Sequence, residues 1–586
     1  MFKLLKKIRS RELCMCIICA VLILGQIYFD LSLPDYMSEL TMLIQTPQSE
    51  MSSIWATGFK MLGCVLASAI LCIACGYLSA RAASGFTTGI REELFRHVTD
   101  LGQEEMQKFS IPSLITRTTN DVTQLQMVIA MGLQSLIKAP VMAVWAIIKI
   151  LGKSMELSAI TAAFVAAICL SVLLIFSSVL PRFRIVQRLT DKINRVAREN
   201  LTGINVVHAF NAEDYQNKKF NVTNNEMFKT QLFNQRLFAA MQPTMQLGMN
   251  GLALCIYWVG AALLGNIASS DVSSRLSMFS DIVVFSTYAT YVVMSFMMLV
   301  MIFMMMPAAQ VSAERINEVL NTKASIREGK SKVGISSGTV EFKNVTFRYP
   351  EASDNELENI NFTVNKGETV AIIGATGSGK TTLISLIPRF YDATEGEVLV
   401  DGINVKDYTF DALYDKIGYI TQKAVLFSGT IAENISFGQS KIPVTDSDVE
   451  AAISLAQADE FVQKLDKKTE YHIAQSGKNV SGGQKQRLSI ARALARKAEI
   501  LIFDDSFSAL DYRTDAKLRA ALSEQLNDTT KIIVAQRVST IRHADKILVL
   551  DDGKIVGEGT HDELLQSCDV YKEIAKSQLS ENELAK

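Results

Sequence analysis

Six apolar runs, residues 13–33, 54–80, 136–151, 157–180, 241–264 and 282–306, constrain this chain more than any other feature. A bilayer's hydrocarbon core asks for about 20 apolar residues per crossing, and inside it the backbone must hydrogen-bond to itself. Each run therefore reads as a membrane helix. The third is the weakest, being the shortest and carrying Lys138 and Lys149 near its ends. With 49% hydrophobic residues in 586, the length divides between lipid and water. Lys3, Lys6, Lys7, Arg9 and Arg11 ahead of the first run imitate a signal peptide. The run is too long for one and lacks a small-residue cleavage site, so a retained first helix is expected. Eight cysteines (Cys14, Cys16, Cys19, Cys64, Cys72, Cys75, Cys169, Cys255) fall in apolar runs and Cys568 lies elsewhere, without disulfide or metal-ligand spacing. They read as small buried apolar residues. A net charge of −1 gives no basic excess for tracking phosphates, so no nucleic-acid partner is expected.

No Lys or Arg stands between Arg11 and Lys60, whereas Asp30, Asp35, Glu39 and Glu50 lie in or near the first inter-helix loop. By the positive-inside rule that loop is external and the N-terminus cytoplasmic. Six crossings return the chain to the cytoplasm after Pro307, which makes it a multi-pass protein of the cell membrane. The segments 81–135 and 181–240 are polar and rich in helix formers. About 25 helical residues rise roughly 40 Å, so each segment forms a hairpin reaching deep into the cytoplasm. The sixth run carries Met294, Met297, Met298, Met301, Met304, Met305 and Met306, which suit either an adaptable apolar cavity or core and lipid contacts. Lys138, Lys149 and Lys153 either face a water-filled cavity or snorkel to the interfaces, the latter favoured for Lys153.

From about Gly338 the pattern changes to β-branched strands with glycine turns, at 339–347, 369–373, 397–400, 500–503, 532–535 and 546–550, the later ones separated by helical patterns. An α/β domain with a mainly parallel core is expected. Residues 325–337, rich in Lys, Ser and Gly, read as a linker. The expected organisation is a membrane domain over 1–320, a linker over 321–338 and a soluble domain over 339–586.

Gly374-Ala375-Thr376-Gly377-Ser378-Gly379-Lys380-Thr381 comes directly after the strand 370–373, and Thr382 opens a helical pattern. Spelling and context both match a phosphate-binding loop. Its glycines let N–H groups converge on phosphate oxygens, and the helix N-terminus favours their charge. Lys380 would reach the β- and γ-phosphates of ATP, and the Thr381 hydroxyl would ligate Mg²⁺. Leu501-Ile502-Phe503-Asp504 is an apolar strand ending in a carboxylate, a position suited to holding Mg²⁺. Ser481-Gly482-Gly483-Gln484 lies upstream of it and opens a basic helical run, where Ser481 also reads as a helix N-cap.

Together these motifs, in this order, resemble the ATP-binding cassette (ABC) domain. Residues 113–122 (SLITRTTNDV), 199–213 (ENLTGINVVHAFNAE) and 313–316 (AERI) resemble the cytoplasmic hairpins and last-helix exit of six-helix ABC exporters. The resemblance covers essentially the whole chain. It implies an all-α six-helix transmembrane domain fused to an α/β cassette with a helical subdomain. It also implies that Tyr349 stacks on adenine, Gln422 ligates Mg²⁺ and senses the membrane domain, and the loop Ser508–Asp511 meets a partner cassette. Two cassettes would clamp two ATP molecules head to tail, each between one chain's phosphate loop and the other's Ser481–Gln484 equivalent.

Two departures bear on mechanism. Where the family has a glutamate to polarise water, this chain has Asp505, one methylene shorter; where it has a switch histidine, Gln536 stands, which carries no proton at neutral pH. A site keeping Lys380, Thr381, Asp504 and Gln422 but bearing these changes should hold ATP and hydrolyse it poorly. The intact Ser481–Gln484 would serve another subunit's site, which implies a heterodimer with a competent half-exporter that moves an apolar or amphipathic small molecule. The loop Ile473–Gly477 also lacks the glutamate common in exporters, which leaves cross-talk by that route in doubt. An ATP-gated channel or regulatory subunit, or a homodimeric lipid or peptide exporter, are the alternatives. No peptidase-like extension precedes the first run, which argues against an exporter that trims its own peptide cargo.

Overall fold

The computed structural model describes residues 2–45, 50–151, 155–267, 271–332, 338–350, 352–439 and 441–579. The chain forms two units, Met1–Thr99 with Ile111–Thr322, and Asp100–Ser110 with Lys323–Lys586.

Six long helices make the first unit: α1 (Ser10–Gln45), α2 (Met51–Thr99), α3 (Val122–Leu151), α4 (Met155–Thr202), α5 (Glu213–Gly265) and α6 (Val272–Asn321). Each contains or belongs to a helical stretch long and apolar enough to cross a membrane. Four of the six run close to 50 residues, longer than any bilayer requires, because the polar segments continue the helices, through Pro181 in α4, Pro243 in α5 and Pro307 in α6. A short helix, Ile204–Ala209, turns the α4–α5 hairpin. Cys19, Ile23, Ile27 and Leu31 of α1 pack with Ile256 of α5 and Phe285 and Tyr288 of α6 in the unit's main apolar cluster.

Two sequence expectations give way to the structure. Asp35 and Glu39, expected in or near the loop, lie like Asp30 of the first run within α1, which runs on to Gln45 through Pro34. Their charges are accommodated in a helix because partners face them: Lys138 of α3 pairs with Asp30 at 3.1 Å and Lys149 with Asp35 at 2.7 Å. The third run, the weakest by length, lies as expected in a helix, the 30-residue α3, which begins 14 residues before it. Of the nine free cysteines only Cys19, Cys75 and Cys568 are buried, while Cys14 and Cys72 are exposed on outward faces of α1 and α2. Lys153 lies outside the described residues. Among the methionines, Met298, Met301 and Met305 border a cavity and Met297 packs on the main cluster; the Met304 side chain lies outside the description.

Two sheets organise the second unit. Strands β1 (Val340–Phe347), β2 (Leu357–Val364), β4 (Glu395–Val400) and β5 (Ile403–Asn404) form an antiparallel sheet in the order β2-β1-β4-β5. The other sheet takes β3 (Thr369–Ile373), β6 (Ile417–Ile420), β7 (Ile500–Asp504), β8 (Thr530–Val534), β9 (Lys546–Asp551) and β10 (Lys554–Gly559), in the order β10-β9-β3-β8-β7-β6. All its neighbours are parallel except β9 and β10. The segments 339–347 and 397–400 thus belong to an antiparallel layer, not to the parallel core. β3, β7 and β8 are covered on both faces, which is why they read as unbroken apolar runs. In that register Val534 pairs with both Ile372 and Asp504, so the loops leaving β3, β7 and β8 emerge at one edge of the sheet. Within the expected linker, Gly329 and Ser331 donate backbone bonds to Tyr408 and Asp407, so this part is pinned.

Candidate nucleotide site

Three neighbouring strand ends build the site. After β3 the chain makes the glycine loop and enters the helix α7 (Lys380–Ser385). A Cβ on Gly374 would meet the Leu550 carbonyl oxygen at 2.0 Å, and Gly379 has φ of +92°, so neither position accepts a side chain without moving backbone. Lys380 folds over the loop. Its Nζ donates to Gly374 O at 2.9 Å, Ala375 O at 2.6 Å and Ser378 Oγ at 3.3 Å. Burial pushes its pKa down, against the opposing pull of Asp505 and Asp504. Thr376 and Gly377 sit in the same loop, and the Thr382 hydroxyl bonds the Tyr349 hydroxyl at 2.9 Å. Tyr349 meets Phe347 and Tyr391 edge to face at 4.9 and 5.4 Å.

At the end of β7, Asp504 accepts from the Thr381 hydroxyl at 2.9 Å and from the Tyr419 hydroxyl at 3.4 Å. Asp505 comes next with φ of +44°, a left-handed conformation that Asp enters more readily than most residues. Its backbone N–H bonds Val534 O at 3.0 Å. Its Oδ2 accepts from Gln536 Nε2 at 2.9 Å and from Gln422 Nε2 at 3.4 Å. Burial is the main force raising the pKa of both carboxyl groups; Thr381 and Tyr419 oppose it at Asp504, and Gln422 and Ser508 at Asp505. The structure therefore brings together the glycine loop, Lys380, Thr381, Thr382, Tyr349, Gln422, Asp504, Asp505 and Gln536. Tyr419 was missed by sequence reasoning because its strand, β6, is only four residues long; its aromatic residue three positions before Gln422 was the available signal.

Ser481–Gln484 stands apart from this cluster. Ser481 is exposed and caps the helix α8 (Gly482–Ala495), accepting from Gln484 N while Gln484 Oε1 accepts from Ser481 N. This is the reciprocal capping box that the spacing allows. Among the described residues, none of Ser481–Gln484 bonds the glycine loop, Asp504 or Asp505. On the same helix Gln486 donates to Thr421 O, beside Gln422, at 3.3 Å. Asp511 caps the helix Tyr512–Gln525.

Two family models match the chain, the ABC transporter transmembrane region over residues 13–296 and the ABC transporter over residues 357–508. The chain is 38% identical to an uncharacterized ABC transporter ATP-binding protein of Mycobacterium tuberculosis, covering 91% of this chain and 90% of that one. With an ATP-dependent lipid A-core flippase of Aromatoleum aromaticum it shares 31% identity over 86% of this chain and 82% of the relative. Among solved structures, a bacterial Atm1-family ABC exporter with ATP bound superposes with a TM-score of 0.81 at 22% identity, covering 98% of this chain and all of that one.

Proposed function

Because this chain belongs to the ABC transporter family, an exporter with its membrane domain and its transport-coupled ATPase domain in one polypeptide, we propose that it works as the degenerate half of a heterodimer. Its own site holds ATP and turns it over slowly, and its Ser481–Gln484 completes the hydrolytic site of a competent partner. The observation that carries this reading is the bond from Gln536 to Asp505: the short carboxylate and the non-titrating amide occupy each other, within a site whose binding residues are otherwise complete. The outward-facing Ser481 supports it, since it is available to another chain and not to Lys380.

The residues present fit Mg²⁺ and ATP. Thr381, Asp504 and the Gln422 carbonyl supply hard oxygen ligands for Mg²⁺, and Lys380 with the glycine loop supplies donors for phosphates. Bound Mg²⁺ would neutralise phosphate charge; the chain's own residues set how water is held. With the N-terminus and the cassette cytoplasmic, the cargo is an apolar or amphipathic molecule moved outward across the cell membrane. The test is ATPase and transport by the chain alone and together with a half-exporter that carries Glu and His at the positions of Asp505 and Gln536. Turnover should be slight alone and restored by the pair. Equal turnover by the chain alone contradicts the heterodimer, and a complex that moves no tracer against its gradient points to a gate instead.

A further inference from the structure

The membrane unit carries a stripe of polar and soft side chains that ATP binding and hydrolysis do not use. Met131, Ser135, Lys138, Met142, Trp145 and Lys149 recur at intervals of four and three along α3, which places them on one helix face. At the first end of this stripe lies a cavity of about 390 Å³, bordered by Met131, Gln134 and Ser135 of α3 and by Met298, Met301 and Met305 of α6. Thioether walls of this kind suit a flexible apolar chain. One turn further along stands Lys138, and about 16 Å beyond it, at 1.5 Å per residue, Lys149.

Both lysines are paired, but the pairs are unequally satisfied. Asp30 accepts from Lys138 on one oxygen and from Ser68 of α2 on the other; Asp35 accepts from Lys149 on one and from Tyr288 of α6 on the other. Each carboxylate thus has a donor on both oxygens. An ammonium has three donors, and among the described residues each lysine uses one. The Gln134 amide, one turn from Lys138, also has no hydrogen-bond partner among the described residues. The two ammonium groups therefore keep unused donors on this face, and the Gln134 amide offers both a donor and an acceptor beside them. Ionisable residues within membrane helices mark pathways in many membrane proteins.

We propose that this stripe binds an amphiphile with an apolar chain and an anionic head, carboxylate or phosphate, its chain in the thioether cavity and its head on Lys138, with Lys149 as a second station. This rests on the export reading and names the charge class of the cargo. Trp145, between the two lysines, reports occupancy. In the full chain in lipid nanodiscs, with Trp55→Phe and Trp258→Phe, a brominated long-chain carboxylate added from water should quench Trp145 saturably, and the matching brominated alkyltrimethylammonium should not. Brominated phosphatidic acid against brominated phosphatidylcholine in the bilayer forms a second arm; quenching by either anion supports the site and tells a soluble acid from a lipid. Lys138→Gln should weaken the anion about tenfold, the loss of one charge-assisted hydrogen bond. Asp30→Asn should tighten it, because the competing carboxylate is gone; a purely structural pair would instead suffer alike from both changes. Equal quenching by both charges, or weakening by both variants, overturns the proposal. If charge-selective quenching holds while the heterodimer transports nothing, the site stands and the export reading fails. If transport runs and quenching ignores charge, the site alone fails.

Discussion

Gln536 donates its side-chain amide to Asp505 Oδ2 at 2.9 Å, so the two positions at which this cassette departs from the glutamate and histidine of the family pattern are in direct contact. The contact is a product of topology: β8 lies beside β7, Val534 pairs with Asp504, and the residues just past each strand meet. Gln422 donates to the same oxygen at 3.4 Å. A carboxylate oxygen engaged by two amides has less lone-pair density free to meet water, and it sits further back than a glutamate's would. The two departures act on one oxygen and should not be independent.

Asp505→Glu alone lengthens the base but leaves the Gln536 amide to engage it, and Gln536→His alone leaves the base short. The double variant should therefore raise the ATPase of the chain alone by on the order of 10²-fold, and by more than the product of the single effects. Steady-state phosphate release from all four proteins checks this. Single effects that multiply to the double value would show that the 2.9 Å bond has no kinetic consequence.

Ser481 should matter more to the heterodimer than Asp505. Ser481→Arg places bulk and charge where the partner's phosphate would sit, while Asp505→Asn alters only the site proposed to turn over slowly. Because Ser481 also caps α8, loss of the cap would cost about 1 kcal/mol on its own. Ser481→Asn keeps a cap and separates folding from the site. Expected are near-complete loss of ATPase with Arg, a mild loss with Asp505→Asn, and native thermal stability with Asn. Equal ATPase loss from Ser481→Arg and Asp505→Asn would mean that the sites are assigned to the wrong chains.

How much of the molecule is legible in its sequence depends on how local each signal is. The glycine loop, Lys380 and Asp504 could be read because strand, turn and helix signals are contiguous there, and β3 and β7 are apolar on both faces. Strand β2 escaped because Glu358, Asn359 and Asn361 interrupt its apolar pattern on the exposed face. Nothing in the chain's order signals that Gln536 bonds Asp505, 31 residues away, or that Asp35 and Glu39 are helical. Charges near an apolar run read as a loop until partners on another helix, here Lys138 and Lys149, are seen to meet them.

Burial raises the pKa of Asp504, with the Asp505 charge adding to it and Thr381, Tyr419 and Lys380 opposing. A carboxyl whose folded pKa lies above its usual 3.8 binds its proton more tightly when folded. Its contribution to stability is then full below that value and is lost as pH rises through the folded pKa. Without nucleotide, burial of the Asp504 carboxyl opposes its ionisation, so this position favours the fold less at neutral pH than in acid. Asp504→Asn should raise the thermal transition of the nucleotide-free chain by about 2 °C at pH 7, with the gain shrinking toward pH 4. Differential scanning fluorimetry in detergent at both pH values checks the sign; a gain that grows on acidification would refute it.

ATP bound by this chain's own loop should persist through several turnovers of the pair and bias the cassettes toward contact. Binding and hydrolysis draw on different residues here. The glycine loop, Lys380, Thr381 and Asp504 are assembled, with Lys380 Nζ poised over the loop carbonyls and Thr381 bonded to Asp504. Asp505 is held by Gln536 and Gln422, and Gln536 has no proton to shuttle. On the proposed assignment, affinity and turnover are uncoupled. A nucleotide that favours the closed pair by about 1.4 kcal/mol changes the open-to-closed ratio tenfold, which shortens the search for closure after each hydrolysis at the other site. Lys380→Ala removes the contacts to Gly374, Ala375 and Ser378 and should lower transport severalfold without touching the partner's base. Gly374→Ala, which drives a methyl into Leu550 O, should do the same by deforming the loop. Trapped-nucleotide analysis of the working heterodimer should recover ATP from this chain's site; recovery of ADP there at the rate of turnover would rule out a holding role.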